Sequence, residues 1–255
     1  SAPSVWNYTA GAKITNIGYS SSVSRSKAYE YGMLFDADTA QAGGAGGGYS
    51  HSTVKYNNGT PTLSQNNYNL SGRIYQRDNI TGGRVIYRFD YLHADNNDTT
   101  RLTDNVSAYA PKIGLLTAKG DMHFDLEYAQ SNYNGGLSVR QLVPTFGFAL
   151  NEGYDWLSFR PYFIRLNNSA RAINKSKTNG VDVTWTHYFA PSANPWAPSN
   201  LSLGGFLGNR VYAVDTNIGA IANLGHIQKN GVNLGANWKV MRDVNFSINS
   251  GTSSY

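Results

Sequence analysis

Apolar and polar residues alternate along almost the whole chain, and the spacing typical of helices is rare. Successive side chains of a β-strand point to opposite faces, so each alternating segment would have one apolar face and one polar face. The pattern predicts an all-β fold with about 12–14 strands, many of about 9–12 residues, which is longer than the usual strand. The clearest segments are 6–14, 29–36, 84–91, 122–128, 157–163, 181–189, 232–240 and 244–248.

Clusters of turn-forming residues separate these segments, and short clusters tend to alternate with long ones. This asymmetry predicts an antiparallel sheet with tight turns at one end and longer loops at the other. The short clusters are 78–83, 118–121, 151–153 and 241–243. The long clusters are 57–63, 95–105, 167–179 and 191–200.

Composition narrows the classes of protein that fit this pattern. Charged residues make up 15% of the 255 residues, against about 25% in an average soluble domain. The absence of cysteine excludes disulfide bonds, thiolate metal sites and a cysteine nucleophile. No apolar run approaches the roughly 18 residues of a membrane-spanning helix. The net charge of +5 comes from basic residues spread along the chain, so no nucleic-acid-binding patch is indicated.

The length of the strands and the asymmetry of their connections match what a lipid bilayer requires of a β-protein. A transmembrane strand needs about 9–11 tilted residues, and an open sheet edge is unstable in hydrocarbon, so the strands must close into a barrel. Tyrosine and tryptophan near the strand ends would lie at the two membrane interfaces. These aromatic residues are Trp6, Tyr91, Tyr128, Trp156, Trp185 and Trp238.

In this architecture the chain resembles the bacterial outer-membrane β-barrel proteins, over nearly all of its length. The resemblance implies one domain, residues 1–255, that forms a closed antiparallel transmembrane β-barrel in the outer membrane of a Gram-negative bacterium. Outer-membrane lipid and lipopolysaccharide would be its surroundings. Tyr255 looks like the C-terminal aromatic residue of many such barrels, although it is out of phase with Phe246 and Ile248. The alternative is a soluble, secreted β-sandwich, propeller or lectin-like domain, which would bury the apolar face.

Arginines recur on the predicted polar face of two neighbouring strands. If these strands pair about the turn at 78–83, Arg73 lies opposite Arg88, and Arg77 lies opposite Arg84. Directly opposed like charges destabilise a sheet, so this arrangement requires either a functional reason or acidic residues nearby that compensate the charges.

Two interpretations of these arginines are open. As a ladder in a water-filled lumen, with Arg160 and Lys112 on the same kind of face, they would attract anions and set the selectivity of a channel. Alternatively, Asp90, Glu30 and Asp36 pair with them, and the charges only stabilise the inner wall.

Acidic residues gather on another strand, where His123, Asp125 and Glu127 alternate on the polar face. An acidic wall that faces a basic wall would produce a transverse field across the lumen. The same residues suggest a hydrolase, with His123 as a base oriented by Asp125, although residues two apart on a strand stand about 7 Å apart. No convergent ligand cluster indicates a metal, and no cofactor is expected.

The glycine-rich run 43–48 lacks the lysine and hydroxyl ending of a phosphate-binding loop. It would form a flexible turn that leads into a strand at 49–56, or a loop that folds into the pore as a constriction.

These observations predict an outer-membrane channel or porin, rather than an enzyme, for small hydrophilic and preferentially anionic solutes. Two alternatives are an outer-membrane barrel for the export or assembly of a polymer or protein, and an outer-membrane lipid-modifying enzyme. Nucleic acid is not an expected partner. The residues predicted to line the pore are Arg73, Arg77, Arg84, Arg88, Arg160, Lys112, Asp90, His123, Asp125 and Glu127.

Overall fold

The computed structural model describes residues 5–18, 25–57, 59–172, 174–192, 194, 196–222, 227–241 and 243–254, so Tyr255 lies outside the described residues. Within them the chain is all-β, as the alternation predicted, and its only helical segments are three short 3-10 turns. These turns are Asn134–Gly136, Asn151–Gly153 and Ser169–Ala172. No helix in this part of the chain has the length and hydropathy needed to cross a membrane.

In the described residues, thirteen long antiparallel strands form one sheet, which agrees with the predicted 12–14, and two short strands pair separately. The strands are β1 Trp6–Gly18, β2 Arg25–Thr39, β3 Gly43–Tyr56, β4 Leu63–Arg77, β5 Arg84–Asn96, β6 Val106–Leu116, β7 Met122–Asn132, β8 Ser138–Leu150, β9 Asp155–Leu166, β10 Lys177–Tyr188, β11 Asn200–Arg210, β12 Ala213–Asp215, β13 Ala220–Ala222, β14 Gln228–Met241 and β15 Val244–Ser254.

Each long strand pairs with its neighbours in chain order, except that β14 follows β11 directly in the sheet. β12 and β13 pair only with each other. β1 and β15 form the two edges of the sheet, and the described residues contain no hydrogen-bonded pairing between these edges.

One face of the sheet, which we call the outer face, is apolar and exposed. Tyr87 and Phe89 on β5 are 45% and 49% exposed, and Phe124 and Leu126 on β7 are each 38% exposed. Rings pack across neighbouring strands on this face, as Phe124 does with Phe146 at a centroid distance of 5.0 Å. A β-sandwich would cover such a face with a second sheet, and no second sheet covers it within the described residues.

The opposite face, the inner face, carries the arginine–carboxylate and lysine–carboxylate ion pairs of the described residues, and it also contains a dry region. Towards the loop end of β6–β9, apolar side chains point inward and pack against residues 211–214, which follow β11. The expectation of a polar wall throughout is therefore wrong in this region. The fully or almost fully buried members include Val106, Ala108, Ala110, Ala129, Val139, Val143, Tyr162, Ile164, Val211 and Val214.

The connections differ between the two ends of the sheet, as predicted, with two exceptions: 133–137 is short although it lies at the loop end, and 189–199 is long although it lies at the turn end. Short connections at the turn end are 40–42, 78–83, 117–121, 151–154 and 242–243. Connections at the loop end include 57–62, 97–105, 133–137, 167–176 and 211–227. The long connection 189–199 lies at the turn end, because β10 runs towards that end. The turn-forming residues of this connection predicted that it is long, but they did not indicate at which end of the sheet it lies.

The glycine-rich run forms neither a turn nor a constriction loop, because residues 43–48 are the first half of β3. Space on the inner face explains two of these glycines. A Cβ at Gly46 would overlap the Asp36 carboxylate of β2, and a Cβ at Gly48 would overlap the Asn69 amide of β4. Glycine in β3 therefore lets side chains from both neighbouring strands lie across it.

Candidate functional site on the inner face of the sheet

A short hairpin lies against the inner face. We call residues 213–222, which comprise β12, β13 and the turn 216–219, the inner hairpin. Gln141 of β8 holds it much as a neighbouring strand would. The Gln141 amide donates to the Val214 carbonyl at 2.7 Å and accepts from the Val214 N–H at 3.2 Å. Both residues are buried, so this side chain satisfies main-chain groups that would otherwise lose water without replacement.

A buried carboxylate lies beneath the inner hairpin. The Glu127 side chain is 1% exposed and stands 2.9 Å from Lys112 Nζ and 3.7 Å from the Arg160 guanidinium. The Thr216 hydroxyl donates to it at 2.6 Å. A carboxylate removed from water requires such partners, because an unpaired buried charge is costly. The predicted separate acidic wall is wrong, since Lys112 and Glu127 oppose each other directly across β6 and β7.

Asp215 fastens the tip of β12 to the same cluster. Its carboxylate lies 3.2 Å from Arg160 Nη1 and accepts from the Asn217 N–H at 3.0 Å. Burial alone would raise the pKa of Asp215, but the charge of Arg160 and the Asn217 hydrogen bond together hold this pKa below its ordinary value. Asp215 is therefore ionised at neutral pH and anchors the hairpin electrostatically.

The predicted pairing of the arginines is confirmed, with Arg73 opposite Arg88. Arg73 donates two hydrogen bonds to Asp36, at 2.8 and 2.6 Å. Arg88 donates two to Asp90, at 2.8 and 2.6 Å. Bidentate contacts of this kind are the strong form of the arginine–carboxylate pair. Two of the carboxylates considered as screening partners are thus in place, and they compensate this part of the ladder.

Arg77 and Arg84 also oppose each other as predicted, but at the turn end of the sheet. Among the described residues, no carboxylate lies within ion-pair distance of either guanidinium. Arg84 instead lies over the ring of Tyr75, 4.7 Å from its centroid. Both arginines and Lys119 border a cavity of about 560 Å³ between the turns 40–42, 78–83 and 117–121. The uncompensated positive charge of the ladder is concentrated there.

His123 and Asp125 lie closer together than the strand spacing suggested. Their side chains lean towards each other, and His123 Nε2 is 3.0 Å from Asp125 Oδ1. Within the described part of the chain, no serine hydroxyl hydrogen bonds to His123, and no group of three metal-ligating side chains converges. The pair has the orienting contact of an acid–base dyad, but in the described residues no hydroxyl group hydrogen bonds to His123 as a nucleophile would.

A second cavity, of about 320 Å³, separates the inner hairpin from the first strands of the sheet. It is bordered by β1–β5 on one side and by residues 216–219 of the hairpin on the other. Contacts of the hairpin extend from Asn69 of β4, beside Gly219, to Arg160 of β9. Because one small hairpin reaches strands so far apart in the sheet, the sheet must curve around it. The cavity-lining polar side chains are Lys13, Asp36, Ser50, Asn69, Ser71, Arg88, Thr216 and Asn217.

The sequence did not predict the inner hairpin or its anchors Gln141, Thr216 and Asp215. One signal was available, because the apolar run 211–214 interrupts a long stretch of poor alternation. The hydrogen-bond partners of that run stand 41 and 73 residues away in the chain, so only the folded sheet brings them together. Comparison with known proteins adds no assignment to this geometry: the chain matches no protein-family model and no curated protein.

Proposed function

We propose that this chain is an outer-membrane β-barrel channel that passes small hydrophilic solutes along its inner face and favours anions. The observation that carries the proposal is the opposite character of the two faces. Large apolar side chains are exposed on the outer face from β1 to β15, whereas the arginine–carboxylate and lysine–carboxylate ion pairs lie on the inner face. Lipid outside and water inside is the environment that makes both faces favourable.

The dimensions of the strands support a membrane location. The strands of the sheet contain between 11 and 15 residues, which at about 3.3 Å per residue and a tilt of about 40° span roughly 28–38 Å. The hydrocarbon core of a bilayer is about 30 Å thick. Closure of the curved sheet into a barrel is part of the proposal, because a bilayer does not tolerate an open edge.

The inner hairpin would limit the size of the solute. It occupies the space beside β5–β9 and leaves the polar cavity beside β1–β4. A route through the barrel would pass along the glycine, serine and asparagine side of the inner face, where small side chains leave room. This restriction favours small solutes over large ones.

The preference for anions would arise at the turn end. Arg73, Arg88 and Lys112 each have a carboxylate partner, so they contribute little net field. Arg77 and Arg84 border the 560 Å³ cavity and have no carboxylate partner among the described residues, so they would attract anions towards that opening.

Conductance across planar bilayers tests this proposal. We expect the protein to conduct with an anion-selective reversal potential, and the double variant Arg77→Gln/Arg84→Gln to shift that potential towards cations. Lys27→Gln/Lys55→Gln is the matched control, because it also removes two directly opposed and exposed cations. The proposal fails if the wild-type protein does not conduct, and the assignment of selectivity fails if both variants shift the potential equally.

The other functions considered from the sequence have less support. A lipid-modifying enzyme would need its acid–base pair at the lipid, but His123 and Asp125 point to the inner face. Export of a polymer or protein would need a lumen wider than the inner hairpin leaves. Lipid hydrolysis that is lost in His123→Ala would restore the first of these, and exclusion of small solutes with passage of a polymer would restore the second.

A further inference from the structure

Three cations lie in one row across three neighbouring strands. Arg140 of β8 is directly opposite Arg165 of β9, and Arg165 is directly opposite Lys177 of β10. Directly opposed residues in an antiparallel sheet have Cβ atoms about 4.5–5.5 Å apart. The three charged groups are therefore presented within roughly 10 Å along the hydrogen-bonding direction.

This cationic row, Arg140, Arg165 and Lys177, lies on the outer face. Each member is exposed, while its strand neighbours Gln141, Ile164 and Thr178 are buried on the inner face. The charges therefore point away from the inner hairpin and from the ion pairs that surround it.

The cationic row has no counter-charge in the part of the chain that the structure describes. Among the described residues, no carboxylate lies within ion-pair distance of any of its members. The contrast with the inner face is direct, because the opposed pair Arg73 and Arg88 has Asp36 and Asp90 as partners. Opposed like charges are unfavourable in a sheet, so an anion from outside would relieve the repulsion.

The position of the cationic row indicates the source of that anion. The next outward-facing row towards the turn end contains Leu142 opposite Phe163, which are 40% and 47% exposed. The three cations thus mark the border where the apolar outer face ends at the loop side. In a membrane this border lies at the headgroups, where a basic cluster attracts anionic lipid and arginine binds phosphate in a bidentate manner.

We propose that the cationic row is a binding site for the phosphate of a lipid headgroup in the leaflet on the loop side of the sheet. The inference rests on the proposed membrane location, and it adds a specific lipid contact that a channel function does not require. Lipid A is the probe for this site. Its headgroup carries phosphate, and its acyl chains would lie along Leu142 and Phe163.

The test measures lipid A binding to the detergent-solubilised protein by calorimetry. The variant Arg140→Gln/Arg165→Gln/Lys177→Gln is compared with Lys27→Gln/Lys55→Gln/Lys229→Gln, which removes three exposed cations near the same end, two of them opposed on β2 and β3 and the third apart from them on β14. We expect the first variant to weaken binding by about 100-fold and the control to weaken it only a few-fold. Heat-modifiable mobility after insertion into vesicles shows that each variant has folded.

The possible results distinguish a failure of the lipid-binding proposal from a failure of the channel proposal. If both triple variants weaken binding equally, the attraction is general and the site is wrong. If inorganic phosphate alone binds the wild-type protein as tightly as lipid A does, and the first triple variant loses both, the row binds free anions and the lipid assignment is wrong. If the wild-type protein inserts and conducts but does not bind lipid A, this inference fails and the channel stands. If the wild-type protein does not insert into membranes, both proposals fail.

Discussion

The inner faces of two parts of the sheet, β1–β4 and β6–β9, are built differently although their outer faces are alike. In β1–β4 glycine, serine and asparagine face inward and border a polar cavity. In β6–β9 alanine, valine and isoleucine face inward at the loop end and are buried against residues 211–214. The outer face exposes large apolar side chains along the whole sheet. The residues of the inner face differ according to whether a polar cavity or residues 211–214 lie against them.

The same contrast holds for one lysine–glutamate contact in each part. The side chains of Lys13 and Glu30 are 43% and 21% exposed, and those of Lys112 and Glu127 are 10% and 1% exposed. Water screens the first pair and weakens it. The second pair lies in a medium of low polarity, where an unmatched charge has a large free-energy cost.

Removing the acid from each pair should therefore have very different effects on stability. We expect Glu127→Gln to lower the free energy of unfolding by about 3–5 kcal/mol, because Lys112 loses its buried counter-charge. The matched change Glu30→Gln should lower it by less than about 1 kcal/mol. Urea unfolding in detergent micelles, followed by tryptophan fluorescence, measures both. Equal losses would show that the two parts of the inner face are equally wet.

A smaller effect is expected from adding a methyl group to the open part. Gly46→Ala places a Cβ against the Asp36 carboxylate and disturbs its contact with Arg73, which should cost about 1–3 kcal/mol of stability. Gly72→Ala is the control, because a Cβ there meets nothing within 4 Å. A Gly46→Ala variant as stable as the control would mean that Asp36 moves aside freely. The same unfolding measurement distinguishes these outcomes.

The smallest effect concerns the attachment of the inner hairpin and its dependence on pH. A carboxyl with a lowered pKa stabilises the fold above its ordinary titration range and loses that contribution as the pH falls through the lowered value. The Asp215 contact with Arg160 should therefore be intact from neutral pH down to about 4 and be lost below it. We expect conductance to be constant over the first range and to increase reversibly over the second.

The variant Asp215→Asn isolates this contact from other acid effects. It should weaken the attachment of the hairpin by about 1 kcal/mol and raise conductance at neutral pH. Arg210, whose positive charge also acts on Asp215, is unchanged in this variant. An increase at low pH that is as large in Asp215→Asn as in the wild-type protein would assign the effect to another group.

Local patterns were enough to predict the strands and one register. Alternation identified the outer face, and the turn at 78–83 fixed the pairing of Arg73 with Arg88, because a tight turn determines which residues oppose each other. The lengths of the connections predicted the two ends of the sheet. The side of 189–199 was missed, because that depends on the direction of β10 and not on the composition of the loop.

Features that depend on distant partners were not predictable in this way. Residues 43–48 read as a turn because glycine favours turns, yet their role is to leave space for Asp36 and Asn69 on the strands beside them. The inner hairpin has strands of three residues, too short for an alternating pattern. The partnership of Glu127 with Thr216 joins residues 89 positions apart, which no local pattern encodes.

The main sheet of the described residues has an odd number of strands, and this number determines the relative direction of its two edge strands. In an antiparallel meander of thirteen, the first and last strands have the same polarity, so Trp6 and Val244 begin at the same end. Any seam between β1 and β15 would therefore be parallel, with slanted hydrogen bonds of slightly lower stability. A single added strand that runs against both would make every seam antiparallel, as in the even-numbered single-chain barrels of bacteria. Such a strand could pair with the 13 residues of β1 on one side and with the 11 residues of β15 on the other.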